Sequence, residues 1–208
     1  LDFLIENSAE RTNLEVDFFG GEPLMNFQVV KETVAYARSL EEKYGKHFRF
    51  TTTTNGILLD EEKAEFLNRE MNNVVLSLDG RREVNDAMRP NAGGKGSYDT
   101  IVPRYQKFVA QRGDKDYYVR GTFTAKNLDF SKDVLFIADQ GLDSISMEPV
   151  VTDIPDLEIR EEHLPRIEKE YETLCDEYLK RWAEGKGFNF FHFNIDLEGG
   201  PCLSKRVS

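Results

Sequence analysis

A carboxylate, a carboxamide, a hydroxyl, a second carboxylate and a guanidinium recur along this chain as Glu22, Asn55, Ser77, Asp79 and Arg120. Their chemistry is that of holding a ligand. Glu22 can accept from an ammonium, and Arg120 can fork onto a carboxylate. Asn55, Ser77 and Asp79 can bond hydroxyls. The set suits a zwitterionic ligand that carries a ribose. Each residue also has a plainer reading. Arg120 could form an ordinary ion pair with Glu148 or Asp79, Ser77 could be a small core residue, and Asn55-Gly56 is a common turn dipeptide. What sets them apart is that all fall at the same ends of successive strands.

The element that presents the first of them is Leu14 to Pro23, Leu-Glu-Val-Asp-Phe-Phe-Gly-Gly-Glu-Pro. Leu14, Val16 and Phe18 alternate with Glu15, Asp17 and Phe19, the period of a strand. Gly20 and Gly21 let the backbone turn sharply or approach a ligand, so Glu22 stands just beyond the carboxyl end of that strand. Further strands are expected at 48–54, 73–79, 117–124 and 143–148. Helices are expected at 27–44, closed by Gly45, from a cap at Asp60 to about Glu70, from Tyr98 to Gln111 with Ser97 as its cap, at 131–140 and from about Arg160 to Ala183. The segment 80–97 reads as a long loop, and 188–195 as a further strand. Strict alternation of strand and helix implies a parallel sheet with helical crossovers.

The strand faces differ. One carries Leu14, Val16, Phe18, Phe48, Phe50, Val74, Leu76, Val119, Phe123, Ile145 and Met147. The other carries Glu15, Asp17, Arg49, Thr51, Thr53, Ser77, Asp79, Arg120, Thr122, Ser146 and Glu148. A flat parallel sheet covered by helices on both sides should be apolar on both faces. One consistently polar face implies a curved sheet, helices outside, whose concave side lines a cavity.

A formal net charge of −11 argues against a nucleic-acid surface. No apolar run is long enough to span a membrane. Two cysteines, Cys175 and Cys202, are too few for a secreted disulfide scaffold, so a reducing, cytoplasmic setting is expected. The chain begins without Met and inside what reads as a helix, so a piece of a longer protein is expected. A soft boundary falls near residue 152, with 1–152 as the barrel unit and 153–208 as a long helix and the start of a second unit.

Phe-Phe-Gly-Gly-Glu-Pro-Leu-Met, Thr-Thr-Asn-Gly, Leu-Ser-Leu-Asp-Gly and Asn-Asp-Ala-Met-Arg-Pro, followed by a Gly-rich loop and Ser-Tyr-Asp, stand here in the order and spacing of radical S-adenosylmethionine (SAM) enzymes. The chain resembles most those with a cysteine-rich SPASM or twitch extension that modify peptides. Val-Arg-Gly-Thr-Phe and Gly-Gly-Pro-Cys resemble the maturase that builds thioether bridges in six-cysteines-in-forty-five-residues (SCIFF) peptides. The resemblance implies a partial TIM barrel, an α/β fold of the (β/α)6 type with its first strand missing, plus the start of an auxiliary-cluster region. It implies that Gly20, Gly21 and Glu22 hold the methionine amino group of SAM. Ser77 and Arg120 would contact its carboxylate or ribose, with Asn55 and Asp79 at matching strand ends. Asp86 and Arg89 would shape the substrate side. Cys202 would be the first ligand of an auxiliary [4Fe-4S] cluster, while Cys175 reads as a core residue.

The family's Cys-x-x-x-Cys-x-x-Cys, which binds the [4Fe-4S] cluster that cleaves SAM, is absent from the chain. The resemblance places it, with the missing strand, before Leu1. In the intact parent it implies a 5′-deoxyadenosyl radical that abstracts hydrogen from a ribosomally made precursor peptide to form a thioether. Reduced flavodoxin or ferredoxin would be the electron donor, with no nucleic-acid or membrane partner. Rival readings are an anaerobic sulfatase maturase that forms formylglycine, a binding protein that has lost its cluster, and an ordinary barrel enzyme using Glu22 and Arg120 on a phosphorylated sugar.

Overall fold

Alternating apolar and polar residues set the strands, and the intervening amphipathic helices set their direction. A computed structural model describes residues 1–194. The strands are β1 (Asn13–Phe18), β2 (His47–Thr54), β3 (Asn73–Ser77), β4 (Asp116–Phe123), β5 (Ser144–Pro149) and β6 (Asn189–Phe190). The helices are α1 (Asp2–Glu6), α2 (Phe27–Tyr44), α3 (Glu61–Glu70), α4 (Arg82–Met88), α5 (Tyr98–Ala110), α6 (Phe130–Asp139) and α7 (Leu164–Ala183). The sheet is six-stranded in the order β1-β2-β3-β4-β5-β6, and every neighbouring pair is parallel. Sequential order with parallel pairing means that each crossover winds the same way round, as in a barrel, and not outward from a central strand.

The apolar strand face is the core. Phe48, Phe50, Val74, Leu76, Val119, Phe123, Ile145 and Met147 are buried against Val34, Leu67, Ile101, Phe108, Val134 and Ile137 of the helices. The polar face is mostly half-buried to exposed, Asp79 and Ser146 being buried, and its residues lie in rows across the ladder. Asp17 stands beside Thr51, Thr51 beside Asn73, and Asn73 beside Asp116. Two same-face positions further along, Ser77 stands beside Arg120 and Arg120 beside Ser146.

Local chemistry sets the helix ends. The Asp60 side chain accepts from the Lys63 N–H at 3.0 Å and so caps α3. Ser97 does not cap α5, contrary to expectation. Asp86 does so from a distance in sequence, accepting the Tyr98 N–H at 2.8 Å, and Ser97 instead meets the Asn85 carboxamide at 3.1 Å. Pro103 lies inside α5.

Four other expectations are corrected. The segment 80–97 is not all loop, because Arg82–Met88 forms α4. Its pattern is too short and too polar to read as a helix from spacing alone. The strand expected over 188–195 is reduced to Asn189–Phe190, and a turn of 3-10 helix, Phe191–Phe193, follows. The long charged helix begins at Leu164, after a short 3-10 turn at Glu161–His163. Cys175 is half-buried in α7 rather than part of the core. Cys202 and the Gly199–Pro201 turn lie outside the described residues. Among the described residues no helix is long and apolar enough to cross a membrane.

Candidate ligand-binding site

The chain leaves β1 through Phe19, Gly20 and Gly21 and re-enters a 3-10 turn at Pro23. That bend swings Glu22 across the end of β2. Glu22 Oε1 accepts from the Thr54 hydroxyl at 2.9 Å and from the Leu24 N–H at 3.1 Å. Its Oε2 accepts from the Asn55 N–H at 2.7 Å. A carboxylate has about four acceptor positions, so roughly one remains. The carboxylate is fixed in place. Asn55 serves the turn, with its Oδ1 accepting the Ile57 N–H at 3.0 Å, as the plainer reading held.

Asp79, just beyond β3, is buried and bound on both oxygens. Arg89 Nε and Nη2 donate to it at 2.7 and 2.9 Å. The Thr122 N–H of β4 donates to the same Oδ1 at 3.0 Å. Arg89 thus uses the Nε side of its guanidinium on Asp79 and keeps Nη1 for another acceptor. Arg120 pairs with Glu148 of β5, Nη2 to Oε2 at 2.7 Å, which was one of its plainer readings. That hydrogen bond holds the Arg120 guanidinium charged more firmly than usual. Both guanidiniums are therefore oriented by carboxylates while part of each stays open.

These residues surround one hollow of about 310 Å³ at the carboxyl ends of β1 to β4. Its walls include Phe19, Gly20, Gly21, Asn55, Ser77, Arg89, Arg120 and Thr122. That size is at the lower end of small-molecule sites. A second hollow of about 380 Å³ opens at the amino ends of the strands, among Glu15, Arg49, Asn73, Asp116 and Tyr118. Barrel folds place chemistry at the carboxyl end and stability at the other, so the smaller hollow is the candidate site. Of the expected residues, Gly20, Gly21, Asn55, Ser77 and Arg120 line it together. Asp79 is not in the wall but fixes Arg89 and Thr122, which are. Glu22 is not in the wall either, but is half-buried and bonded to the wall residues Thr54 and Asn55. Arg89, expected on the substrate side, is in the wall. Asp86 is not, being spent on the start of α5.

Two supports escaped sequence reasoning. Tyr105 of α5 is fully buried, and its hydroxyl lies 3.3 Å from the Thr54 carbonyl and 3.1 Å from the Ser77 carbonyl. Asp133 of α6, also fully buried, accepts the Arg81 N–H at 3.0 Å and Arg81 Nε at 2.8 Å. Gly80 makes room for it, since a Cβ there would overlap the Asp133 side chain. Hydrogen bonding to Asp133 is the chief reason the Arg81 guanidinium is held charged well beyond its ordinary value. Tyr105 carried a weak signal as an aromatic on the apolar face of α5. Asp133 carried none.

The radical SAM superfamily model matches residues 4–137. The chain belongs to the radical SAM superfamily. Among curated relatives, it is 28% identical over 196 residues to a cysteine-type anaerobic sulfatase-maturating enzyme of Clostridium novyi, covering 90% of this chain and 50% of that one. It is 30% identical over 151 residues to an uncharacterized protein of Methanocaldococcus jannaschii, covering 71% of this chain and 49% of that one. The chain thus spans about half the length of these relatives. Among solved structures, native anSMEcpe with bound AdoMet superposes with a TM-score of 0.77 at 16% identity, over 91% of this chain and 52% of that one. Streptococcus suis SuiB does so with a TM-score of 0.53 at 18% identity, over 85% and 38%. At such identities these structures establish the fold, a partial radical SAM barrel.

The hollow fits the methionine and ribose parts of SAM. Its wall joins two guanidiniums with open edges to the Ser77, Thr53 and Thr122 side chains, and the Glu22 carboxylate is bonded to its wall residues Thr54 and Asn55. Gly20 and Gly21 present bare backbone, for nothing lies within 4 Å of where a Cβ would be. An iron–sulfur cluster is a different matter. The sequence holds two cysteines, and among the described residues no group of three or more His, Cys, Asp or Glu side chains could hold a metal. These residues do not bind the cluster of the family.

Proposed function

We propose that this chain is the SAM-binding part of a radical SAM enzyme that modifies a cysteine-bearing peptide or protein. The observation that carries the reading is the hollow at the carboxyl ends of β1 to β4, where two carboxylate-oriented guanidiniums converge beside wall residues that fix the Glu22 carboxylate. Glu22 receives the ammonium of SAM at its remaining acceptor position, and Gly20 and Gly21 let the ligand approach the backbone. Arg120 and Ser77 hold the carboxylate and ribose. SAM, when bound, supplies the reactive adenosyl group. The residues of this chain orient it and keep its zwitterion out of water.

Similarity to a cysteine-type sulfatase-maturating enzyme across 90% of the chain favours oxidation of a substrate cysteine. Solved neighbours with the Kp18Cys and Cp18Cys peptides bound share the fold, with TM-scores of 0.77 and 0.75. A second reading, thioether formation, rests on the Val-Arg-Gly-Thr-Phe of β4 and on the Gly-Gly-Pro-Cys that ends at Cys202. In that reading Cys202 ligates an auxiliary cluster.

The test is anaerobic reconstitution of the intact protein with a cysteine-containing peptide, followed by mass spectrometry. Conversion of the cysteine to an aldehyde removes its sulfur. A thioether keeps the sulfur and loses two hydrogens. An unmodified peptide and no consumption of SAM would sink both readings.

A further inference from the structure

Tyr105 stands so far only as a support, yet its hydroxyl meets the carbonyl of Thr54, the residue whose side chain and following N–H hold Glu22. Tyr105 is fully buried in α5. Its ring fills the space beside Gly56, where a Cβ would overlap it and where φ is +76°. Its hydroxyl lies between the carbonyls that end β2 and β3, those of Thr54 and Ser77. The paired register of these two strands stops at Thr54 and Leu76. The hydroxyl therefore sits where the ladder gives out and the two chains diverge into the site. Burial keeps the phenol protonated far above its ordinary range, so it remains a donor. One proton faces two acceptors, and the shared bond ties both strand ends to the same point.

What hangs on those strand ends is specific. The Thr54 side chain and the Asn55 N–H hold the two oxygens of Glu22. The Ser77 side chain lines the same hollow. We infer that Tyr105 is a positioning residue for the ammonium end of the ligand, setting the Glu22 carboxylate through Thr54 and Asn55. This rests on the reading of the hollow as a SAM site and adds a residue to it. Its action is local. It should matter for a ligand with an ammonium group and little for one without.

The test is Tyr105→Phe, which removes the hydroxyl and leaves the ring in place. Calorimetry would compare S-adenosylmethionine with 5′-methylthioadenosine, which has the adenosyl group but neither ammonium nor carboxylate. The expected result is a weakening of S-adenosylmethionine binding by roughly three- to tenfold, the worth of one hydrogen bond, with 5′-methylthioadenosine changed less than twofold. In a Glu22→Gln background the same substitution should add almost nothing, because the group it positions has lost its charge. Equal weakening of both ligands, or full additivity with Glu22→Gln, would reduce Tyr105 to a general packing residue and overturn the inference. Unchanged binding of both ligands would overturn it too. Failure of the unsubstituted protein to bind either ligand would instead sink the SAM reading, and this inference with it.

Discussion

Arg89 grips Asp79 side-on, Nε to Oδ2 at 2.7 Å and Nη2 to Oδ1 at 2.9 Å, while Oδ1 also receives the Thr122 N–H at 3.0 Å. One buried carboxylate thereby joins β3, the end of α4 and β4. It also points a guanidinium from the loop after β3 into a hollow otherwise walled by strand ends. Asp79 therefore acts behind the site and Arg89 in it. Asp79→Asn should weaken SAM binding at least tenfold and cost about 2 kcal/mol of stability, since it leaves Arg89 short of a charged partner. Calorimetry and denaturant melts check the two effects separately. Retained affinity with lost stability would make the pair purely structural.

Three donors, the Leu24 and Asn55 N–H groups and the Thr54 hydroxyl, hold the Glu22 carboxylate. Glu22→Gln preserves shape but removes the carboxylate and forces an amide NH₂ against donors. Affinity for SAM should fall about 10- to 100-fold, as expected for a hydrogen bond to a charged group. Affinity for 5′-methylthioadenosine should change little. A uniform loss on both ligands would count against an ammonium contact.

Asp86 stands in a motif that resemblance assigns to the substrate side, yet its carboxylate accepts the first N–H of α5. Asp86→Ala should lower stability by about 1 kcal/mol, the usual worth of a helix cap. SAM affinity should stay within twofold. A large affinity loss at unchanged stability would restore Asp86 to the site.

Gly56 adopts φ +76°, and a Cβ there would overlap the Tyr105 ring. Gly56→Ala should destabilise by about 2 kcal/mol or more, from strain and overpacking together. For a domain of this size that is a melting shift of roughly 4 to 8 °C. A shift under one degree would show that the ring can move aside.

The acid limb of stability carries a further prediction. Burial pushes the Asp129 carboxyl up, but hydrogen bonds from Arg81 and Lys132 outweigh it, and the carboxyl ends below its usual 3.8. A carboxyl lowered in the folded state stabilises the fold above its unfolded value, and the gain is lost as pH falls through the folded value. Stability of the parent should therefore drop more steeply below about pH 4 than that of Asp129→Asn. Denaturant melts at several pH values test this. Identical acid limbs would mean that the pair with Arg81 is screened out.

The strands and their polar face were legible because the period of two survives wherever one face is wet and the other packed. The run from Phe48 to Thr54 is the clearest case. Helices with strong end signals were legible as well, as at Asp60 and Gly45. Segments whose structure rests on distant partners were not. Helix α4 has an apolar pattern too short to stand out, and the start of α5 is capped by Asp86 rather than by its neighbour Ser97. At the site, residues at strand ends could be gathered because topology alone brings such ends together. Their division into wall and support could not, since it depends on side-chain direction. Nothing in the residue types says that Glu22 turns onto β2 or that Arg89 turns into the hollow. Asp133 was invisible because a buried carboxylate in a helix reads as surface until its partner Arg81 is seen.

If the hollow at the carboxyl ends of β1 to β4 holds SAM by its amino-acid end, binding must depend on Glu22 and Arg89. The most direct measurement is calorimetric titration of the protein with S-adenosylmethionine, repeated with Glu22→Gln and Arg89→Met. The expected result is saturable one-to-one binding that S-adenosylhomocysteine competes away and that each substitution weakens at least tenfold. A folded protein that shows no binding, or binding indifferent to both substitutions, would contradict it.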